Sequence, residues 1–309
     1  MGNLKIIFLS VGNGDSIFLE YIDDAGEFHF GLIDCNDIGR FKPTQTFLKR
    51  YFELKDHELK ALKRKKILES KHPFIFDFIL VSHSHADHTN GIKDMIRNFG
   101  TKQLFHFKYN KWGGQAPLIQ SLKKGFRTNT WYQKIANEEP LVAGDEPVLF
   151  ENSSEKVKCE VIWPFDGEKS SEENNNSLMI LIHYGRFKFL FGGDAEHKVW
   201  NDKRIKSKIK QLEKIHILKV PHHGAKNGFL NTKGDFIAPE LAAKMEYAIV
   251  SSHIWRYKHP STKVIQELES HSTNVLRTEV DQNQNIEFNS DGESLSLKCF
   301  TEFQAHYIN

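Results

Sequence analysis

No run of apolar residues in this sequence approaches the roughly 20 that cross a bilayer. The most apolar, at 74–81 and 178–182, stop well short, so no membrane association is expected. Cysteine is scarce: Cys35, Cys159 and Cys299 are odd in number and widely spaced. They build neither a disulfide framework nor a CxxC metal pair, which points to a reducing compartment. Charge of one sign is lacking too. Lys+Arg of 42 against Asp+Glu of 40 leaves +2 over 309 residues, so no global field steers the chain to nucleic acid, and polyanion binding would need a local patch. The opening residues MGNLKIIFLS show no charged leader, long apolar core or cleavage site, and with no targeting signal the expected location is cytoplasmic. No low-complexity segment, short repeat or long Pro/Gly/Ser linker divides the sequence, so one domain over 1–309 is expected.

What is present reads as an α/β chain, with strands and helices interleaved throughout. LKIIFL, SIFLEYI and FHFGLID open as strands between Gly-Asn-Gly and Asp-Asp-Ala-Gly turns. In the next stretch Leu48, Tyr51, Phe52, Leu54, Leu59, Leu62 and Ile67 recur at three- and four-residue steps, which predicts helix. From Arg40 to Lys71 eleven Lys/Arg stand against four acids, so the stretch reads as a basic helical insertion at about 41–72, either a solvated face or a face for an anionic partner. FIFDFILV predicts a buried strand and NGIKDMIRNF a helix. From Lys102 to Lys134 seven Lys/Arg and no acid are interleaved with Phe105, Phe107, Tyr109, Trp112, Phe126, Trp131 and Tyr132. That pattern suits a single-stranded nucleic acid groove, where bases stack and phosphates pair with cations. It suits equally a strand with one buried aromatic face. Strands are expected at VLFEN, VKCEVIWP, LMILIHYG, FKFLFGG, IHILKV, EYAIVSS, NIEF and SLSLKCF, and helices at 199–214 and STKVIQELESH.

The chemistry concentrates in SHSHADH, directly after a buried strand. On an extended strand end His83 and His85 point to the same side, and Asp87 and His88 follow as the chain turns into the next helix. One short loop can thus offer two imidazoles to one cation, and a carboxylate plus an imidazole to a second. Neutral imidazole and carboxylate are ligands that Zn²⁺ favours where a position stays open for water. Other strand ends carry further candidates: Asp34 in LIDCN, Asp194 after the Gly pair of FLFGGDAEH, and His222 and His223 in LKVPHHGAK. Singly, an Asp after a strand is as readily a turn former or helix cap. Jointly they place ligand-type residues at the ends of several strands, as an α/β core does when it builds a site on one edge.

HSHADH resembles the HxHxDH signature of the metallo-β-lactamase fold superfamily. VGNGDSIFLEY, LIDCN, VSHSHADHTNGI, NNNSLMILIHYG, FLFGGDAE, LKVPHHGAKN and AIVSSHIWRYKHPS, in that order, resemble the metallohydrolase domain of DNA-uptake competence proteins. The resemblance implies an αβ/βα four-layer sandwich, two mixed β-sheets flanked by helices, with metals at one rim. It implies two divalent ions, Zn²⁺ or Mn²⁺. His83 and His85 would hold the first, Asp87, His88 and a His of HHG the second, and Asp194 would bridge them. Aligning VPHHG with VPGHG-like endings favours His223, leaving His222 beside the site or as a proton donor. The superfamily's usual further His has no counterpart: residues 174–176 are Asn and Ser177 follows, while His106 and His183 lie in strand-like runs. The first metal's coordination would therefore be open or Asn-assisted. The membrane channel and oligonucleotide-binding domain of the competence proteins have no match here either.

Two ions sharing a water would lower its pKa towards about 7 and suit a phosphodiester, whose attacking and leaving oxygens both metals can neutralise. The expected activity is thus a metallohydrolase, a phosphodiesterase or nuclease acting on DNA or RNA within a larger bacterial system. Alternatives of the same fold are ester, thioester or lactam hydrolysis, or a non-catalytic metal-stabilised binding subunit. The expected catalytic residues are Asp87, Asp34 (orienting a ligand or the water), His222 and His259. His259, in Tyr257-Lys258-His259-Pro260, reads as a phosphate contact or leaving-group acid, or else as a loop His fixed by the proline. Lys226 reads as a phosphate partner or plain surface, Cys35 as a buried inert thiol, a ligand or a redox switch. Asn13 and Asp15 read as a turn at the site rim, with a catalytic role for Asp15 as the alternative.

Overall fold

Fourteen strands form among the described residues, and their pleat decides which layer each side chain enters. The computed structural model describes residues 2–64, 66–68, 74–107, 134–151, 156–252, 258–271, 273–279 and 284–301. Strands β1 (Asn3–Phe8), β2 (Ile17–Ile22), β3 (Phe28–Ile33), β4 (Phe76–Val81), β5 (Thr101–Phe107) and β6 (Ile135–Leu141) build one sheet. Strands β7 (Val157–Trp163), β8 (Met179–Tyr184), β9 (Phe187–Phe191), β10 (Ile215–Lys219), β11 (Met245–Val250) and β12 (Asn274–Arg277) build the other. The last two, β13 (Asn285–Ser290) and β14 (Leu295–Phe300), return to the first sheet, whose order is β14-β13-β1-β2-β3-β4-β5-β6; the second runs β12-β11-β10-β9-β8-β7. Both are mixed. β3 to β6 are parallel, as are β9 to β12, and the remaining pairs are antiparallel.

The inner faces meet in one core, with Phe8, Leu19, Phe78, Phe105 and Phe107 from the first sheet against Val161, Ile180, Phe189, Ile217 and Ile249 from the second. Each large apolar side chain so buried contributes roughly 1.5–3 kcal/mol of transfer free energy. The helices are α1 (Pro43–Ala61), α2 (Ala86–Thr89), α3 (Ile92–Phe99), α4 (His197–Trp200), α5 (Lys203–Gln211), α6 (Lys226–Phe229), α7 (Pro239–Ala242) and α8 (Thr262–Ser270). α1 and α3 cover the outer face of the first sheet, setting Phe47, Leu48, Tyr51, Phe52, Met95 and Ile96 on Phe18, Phe30 and Ile79. Trp200, Ile205, Ile209, Leu241, Val264 and Leu268 cover the second sheet over Leu181, Leu190, Leu218 and Ala248. The result is the expected sandwich of two mixed sheets between helical layers.

Several elements depart from their expected bounds, each for a physical reason. The helix expected over about 41–72 runs Pro43–Ala61; Phe41 and Leu62 are exposed, and residues 65 and 69–73 lie outside the described residues. Its stripe of Phe47, Leu48, Tyr51, Phe52 and Leu59 is buried, so the solvated surface is the opposite, charged side. The described part of VLFEN, residues 148–151, forms no strand: Leu149 and Phe150 plug the core, Phe150 stacking on Tyr21. The strand IANEEPL was hidden because it is a sheet edge with exposed polar positions and a proline, which an edge tolerates. The helix expected at 199–214 is two, split where Asp202 caps α5 by accepting from the Arg204 amide (2.8 Å). Of the basic-aromatic stretch, Phe105 and Phe107 are core and Lys102 pairs with Asp77 (2.8 Å) and Glu151 (2.7 Å). Residues 108–133 lie outside the described residues. Among the described residues no helix is long and apolar enough to cross a membrane.

Candidate metal centre

Parallel strands bring their C-terminal ends to one edge, and the loops leaving β3, β4, β9 and β10 carry Asp34, His83 to His88, Asp194 and the His222–His223 pair. The backbone there is unusual. Asp34 (φ 57°), His222 (48°) and His223 (52°) are left-handed, as is Lys258 next to His259; among the described residues Lys63 is the one further non-glycine case. Such conformations cost on the order of 1–3 kcal/mol each and persist where surrounding contacts enforce them. Close loop packing needs glycine twice. A Cβ on Gly14 (φ +130°) would meet the Asp87 carbonyl oxygen at 2.3 Å, and one on Gly193 (φ +52°) would meet the Ser177 Cβ at 2.8 Å.

Three histidines share one design. His88 Nδ1 donates to Asp34 Oδ2 (2.7 Å), His223 Nδ1 donates to the Ser251 carbonyl (2.8 Å), and His83 Nδ1 lies 3.1 Å from Ser82 Oγ. Ser82 Oγ itself donates to Asp34 Oδ2 (2.6 Å) and the Ser82 amide to Asp34 Oδ1 (2.7 Å), so the serine oxygen is left to accept from His83. With each Nδ1 so engaged, each Nε2 is presented inward, the arrangement that orients metal-ligating imidazoles. All three Nε2 atoms surround Asp194: His88 at 3.2 Å from Oδ1, His223 at 3.3 Å and His83 at 4.0 Å from Oδ2. Asp87 Oδ2 lies 3.5 Å from His223 Nε2. Asp194 is held by its amide donating to Ser177 Oγ (3.0 Å).

The Nε2 atoms of His83, His88 and His223 and Asp194 Oδ1 are buried without a hydrogen-bond partner. Buried polar atoms rarely stay unsatisfied, and four at one point call for a missing partner. Ligand atoms of Asp87, His88, Asp194 and His223 lie within 4.8 Å of one another, a donor set of two imidazoles and two carboxylates that suits Zn²⁺ or Mn²⁺. A second grouping, Asp15, Asp34 and His88, is equally close. It fits an ion less well, because Asp34 already accepts from Ser82 and His88 and Asp15 is ion-paired.

Charge follows the same geometry. Burial opposes the charged form of His88, yet the Asp194 and Asp34 carboxylates outweigh it and hold this imidazole well above its ordinary value. His223 is likewise opposed by burial but carried up to about 9, chiefly by Asp194. Burial would raise Asp194, but His223, His88 and Lys219 hold it far below the usual carboxylate range, and Asp87 is also lowered against burial by His223 and His88. His83 is pushed well down by burial and by the neighbouring His88. Without a metal, the cluster thus retains protons where a divalent ion would place charge.

Of the sequence candidates, His83, Asp87, His88, Asp194 and His223 converge, and Asp34 stands behind His88. His85 is exposed at the start of α2, its ring centroid 4.8 Å from that of His83. His223 is the member of the vicinal pair that faces Asp194. His222 turns to the rim, 3.6 Å from Glu196 Oε1, with its ring 5.9 Å from that of His259. The asparagines at 174–176 are engaged in scaffolding: Asn174 donates to Glu196 (2.9 Å), Asn175 accepts from the Glu196 amide (2.9 Å), and Asn176 binds Ser170. Burial pushes the Cys35 thiol well up, which suits an inert side chain, and Lys226 is exposed. Asp15 is no rim residue: it is buried beneath the histidines. Lys219 escaped the sequence reading altogether. It closes β10 fully buried, ion-pairs with Asp15 and lies 3.6 Å from Asp194 Oδ1. The available signal was its place in IHILKV, where it follows Ile217 on the inward face of the pleat.

No protein-family model matches the chain. ComE operon protein 3 of Bacillus subtilis (strain 168) is 25% identical over 290 residues, covering 92% of this chain and 33% of that protein. Recombination protein 2 of Haemophilus influenzae is 29% identical over 120 residues, 38% of this chain and 14% of that protein. The chain therefore spans about a third of the first relative's length and less of the second's. Among solved structures, the CmlA β-hydroxylase E377D mutant superposes with a TM-score of 0.51 at 9% identity, covering 93% of this chain and 53% of that one. The metallo-β-lactamase fold protein YhfI from Bacillus subtilis gives 0.49 at 9% identity, covering 96% and 100%. The chain has the αβ/βα sandwich of the metallo-β-lactamase fold and resembles ComE operon protein 3 over most of its length, in keeping with the competence-protein likeness of its motifs.

Proposed function

We propose that the protein is a metal-dependent hydrolase of phosphodiesters, acting on DNA or RNA. The observation that carries the metal reading is the shared orientation of His83, His88 and His223, each tied by Nδ1 and each presenting an unsatisfied Nε2 towards Asp194. Asp87, His88, Asp194 and His223 would hold one divalent ion, and His83 and His85 with Asp194 a second. A bound ion supplies Lewis-acid activation and charge neutralisation at a phosphoryl centre. Asp34 fixes the His88 ring, and Ser177 fixes Asp194. His222 and His259 stand side by side at the rim, both lowered by burial, and present neutral imidazoles to a phosphate or a leaving oxygen. The choice of a phosphodiester rests on the likeness to ComE operon protein 3 and recombination protein 2. Zn²⁺- or Mn²⁺-loaded protein is expected to cleave bis(p-nitrophenyl) phosphate or single-stranded DNA, and Asp87→Ala to abolish cleavage. Activity that survives both chelation and that substitution overturns the proposal, and turnover confined to a thioester or lactam overturns the substrate class.

A further inference from the structure

Lys219 and Asp15 are charged, buried at 1% exposure each, and 204 positions apart in sequence. Both are as buried as the histidines of the centre. Their ion pair lies on the protein side of the centre. Asp15 Oδ2 is 3.7 Å from His88 Nδ1 and Asp15 Oδ1 is 3.7 Å from His223 Nδ1, while Lys219 Nζ is 3.6 Å from Asp194 Oδ1 and donates to the Gly193 carbonyl (3.3 Å). A buried ammonium among carboxylates is retained only when paired, and removal of one partner leaves the other to seek a substitute. For Lys219 that substitute is Asp194, the carboxylate that three histidines also face.

We infer that Lys219 and Asp15 are a positioning pair for the metal centre: Lys219 steadies Asp194 from its Oδ1 side, and Asp15 holds the ammonium back so that it does not displace a divalent ion from that carboxylate. The inference rests on the metal reading above. It explains why Asp15 sits in the Gly12-Asn13-Gly14-Asp15 turn, whose Gly14 lets the backbone close onto Asp87 and whose Asp15 amide donates to the Asp87 carbonyl (3.2 Å). One turn thereby ties a ligand loop and supplies the counter-charge.

The test is Zn²⁺ affinity, measured by competition with a chromophoric chelator on the full chain, for wild type, Asp15→Asn, Lys219→Met and the double variant. Asp15→Asn, which leaves Lys219 with Asp194 alone, is expected to weaken binding by about tenfold or more. The double variant removes the stray ammonium and is expected to return to within about threefold of wild type, a coupling that independent structural damage does not produce. Lys219→Met alone removes the ammonium that pairs with Asp15 and steadies Asp194, so its metal-free melting temperature is expected to fall and to recover at saturating Zn²⁺. An Asp15→Asn protein that binds as tightly as wild type overturns the inference. A double variant that fails to fold, or binds no better than Asp15→Asn, also overturns it. Wild-type protein that takes up no divalent ion overturns the metal reading itself, and this inference falls with it.

Discussion

Asp34 Oδ2 accepts the Nδ1 proton of His88 at 2.7 Å while its other oxygen takes the Ser82 amide, so one left-handed residue at the end of β3 sets the ring orientation of a histidine fifty-four positions later. Asp34→Asn removes the charge that holds His88. Zn²⁺ affinity is expected to fall by about 10–100-fold, read by chelator competition. Unchanged affinity would show that the ring is held by other contacts.

Metal binding is expected to release protons. In the metal-free protein His223, carried up to about 9, and His88, held well above its ordinary value, both bind a proton at neutral pH. Ligation needs both Nε2 lone pairs, so on the order of two protons leave per ion at pH 7. Affinity should therefore weaken steadily as pH falls from about 9 to 6. Calorimetry of Zn²⁺ binding in buffers of different ionisation heat measures the proton count; a count of zero contradicts the assignment.

The same shifts give the metal-free protein a pH-dependent stability. A histidine raised in the folded state stabilises fully below its unfolded pKa of about 6.5, and that contribution is lost as pH rises through the folded value, which for His223 is about 9. Asp87 and Asp194 are lowered in the folded state, so their contribution is present above an unfolded pKa of about 3.9 and lost as pH falls. Melting followed by circular dichroism with chelator present should therefore be highest between about pH 4 and about pH 6.5, and drop both below about pH 4 and towards about pH 9.5. A flat profile on the alkaline side would contradict the His223–Asp194 pairing.

Gly193→Ala and Gly39→Ala separate crowding from backbone strain. Both glycines are left-handed, at φ +52° and +55°, but a Cβ at Gly193 meets Ser177 at 2.8 Å and one at Gly39 meets nothing within 4 Å. Gly39→Ala is expected to cost about 1 kcal/mol in denaturant unfolding, and Gly193→Ala about 2–3 kcal/mol, with weakened Zn²⁺ binding through Asp194. Equal costs would mean that the Asp194 loop moves freely.

Much of this architecture was legible because it depends on local pattern. The apolar runs of β1 to β4 and β8 to β11 announced themselves as strands, and ligand-type residues directly after β4, β9 and β10 marked one edge as a site. The HSHADH motif resolved the fold because few other structural uses bring those residues together behind a buried strand. Legibility failed where an outcome depends on partners distant in sequence. Lys219 looks like any surface lysine until Asp15 is brought beneath it. Leu149 and Phe150 sit in a strand-like apolar run but fill the core as a plug. His222 and His223 are chemically identical in sequence, and two consecutive left-handed residues decide which one faces Asp194.

The central claim, that Asp87, His88, Asp194 and His223 cage a divalent ion, is tested most directly by anomalous diffraction at the zinc edge from Zn²⁺-loaded crystals. A peak is expected within about 2.0–2.2 Å of His88 Nε2, His223 Nε2 and oxygens of Asp87 and Asp194. Zinc found only elsewhere, or these four side chains closed on one another with no peak between them, would contradict the account.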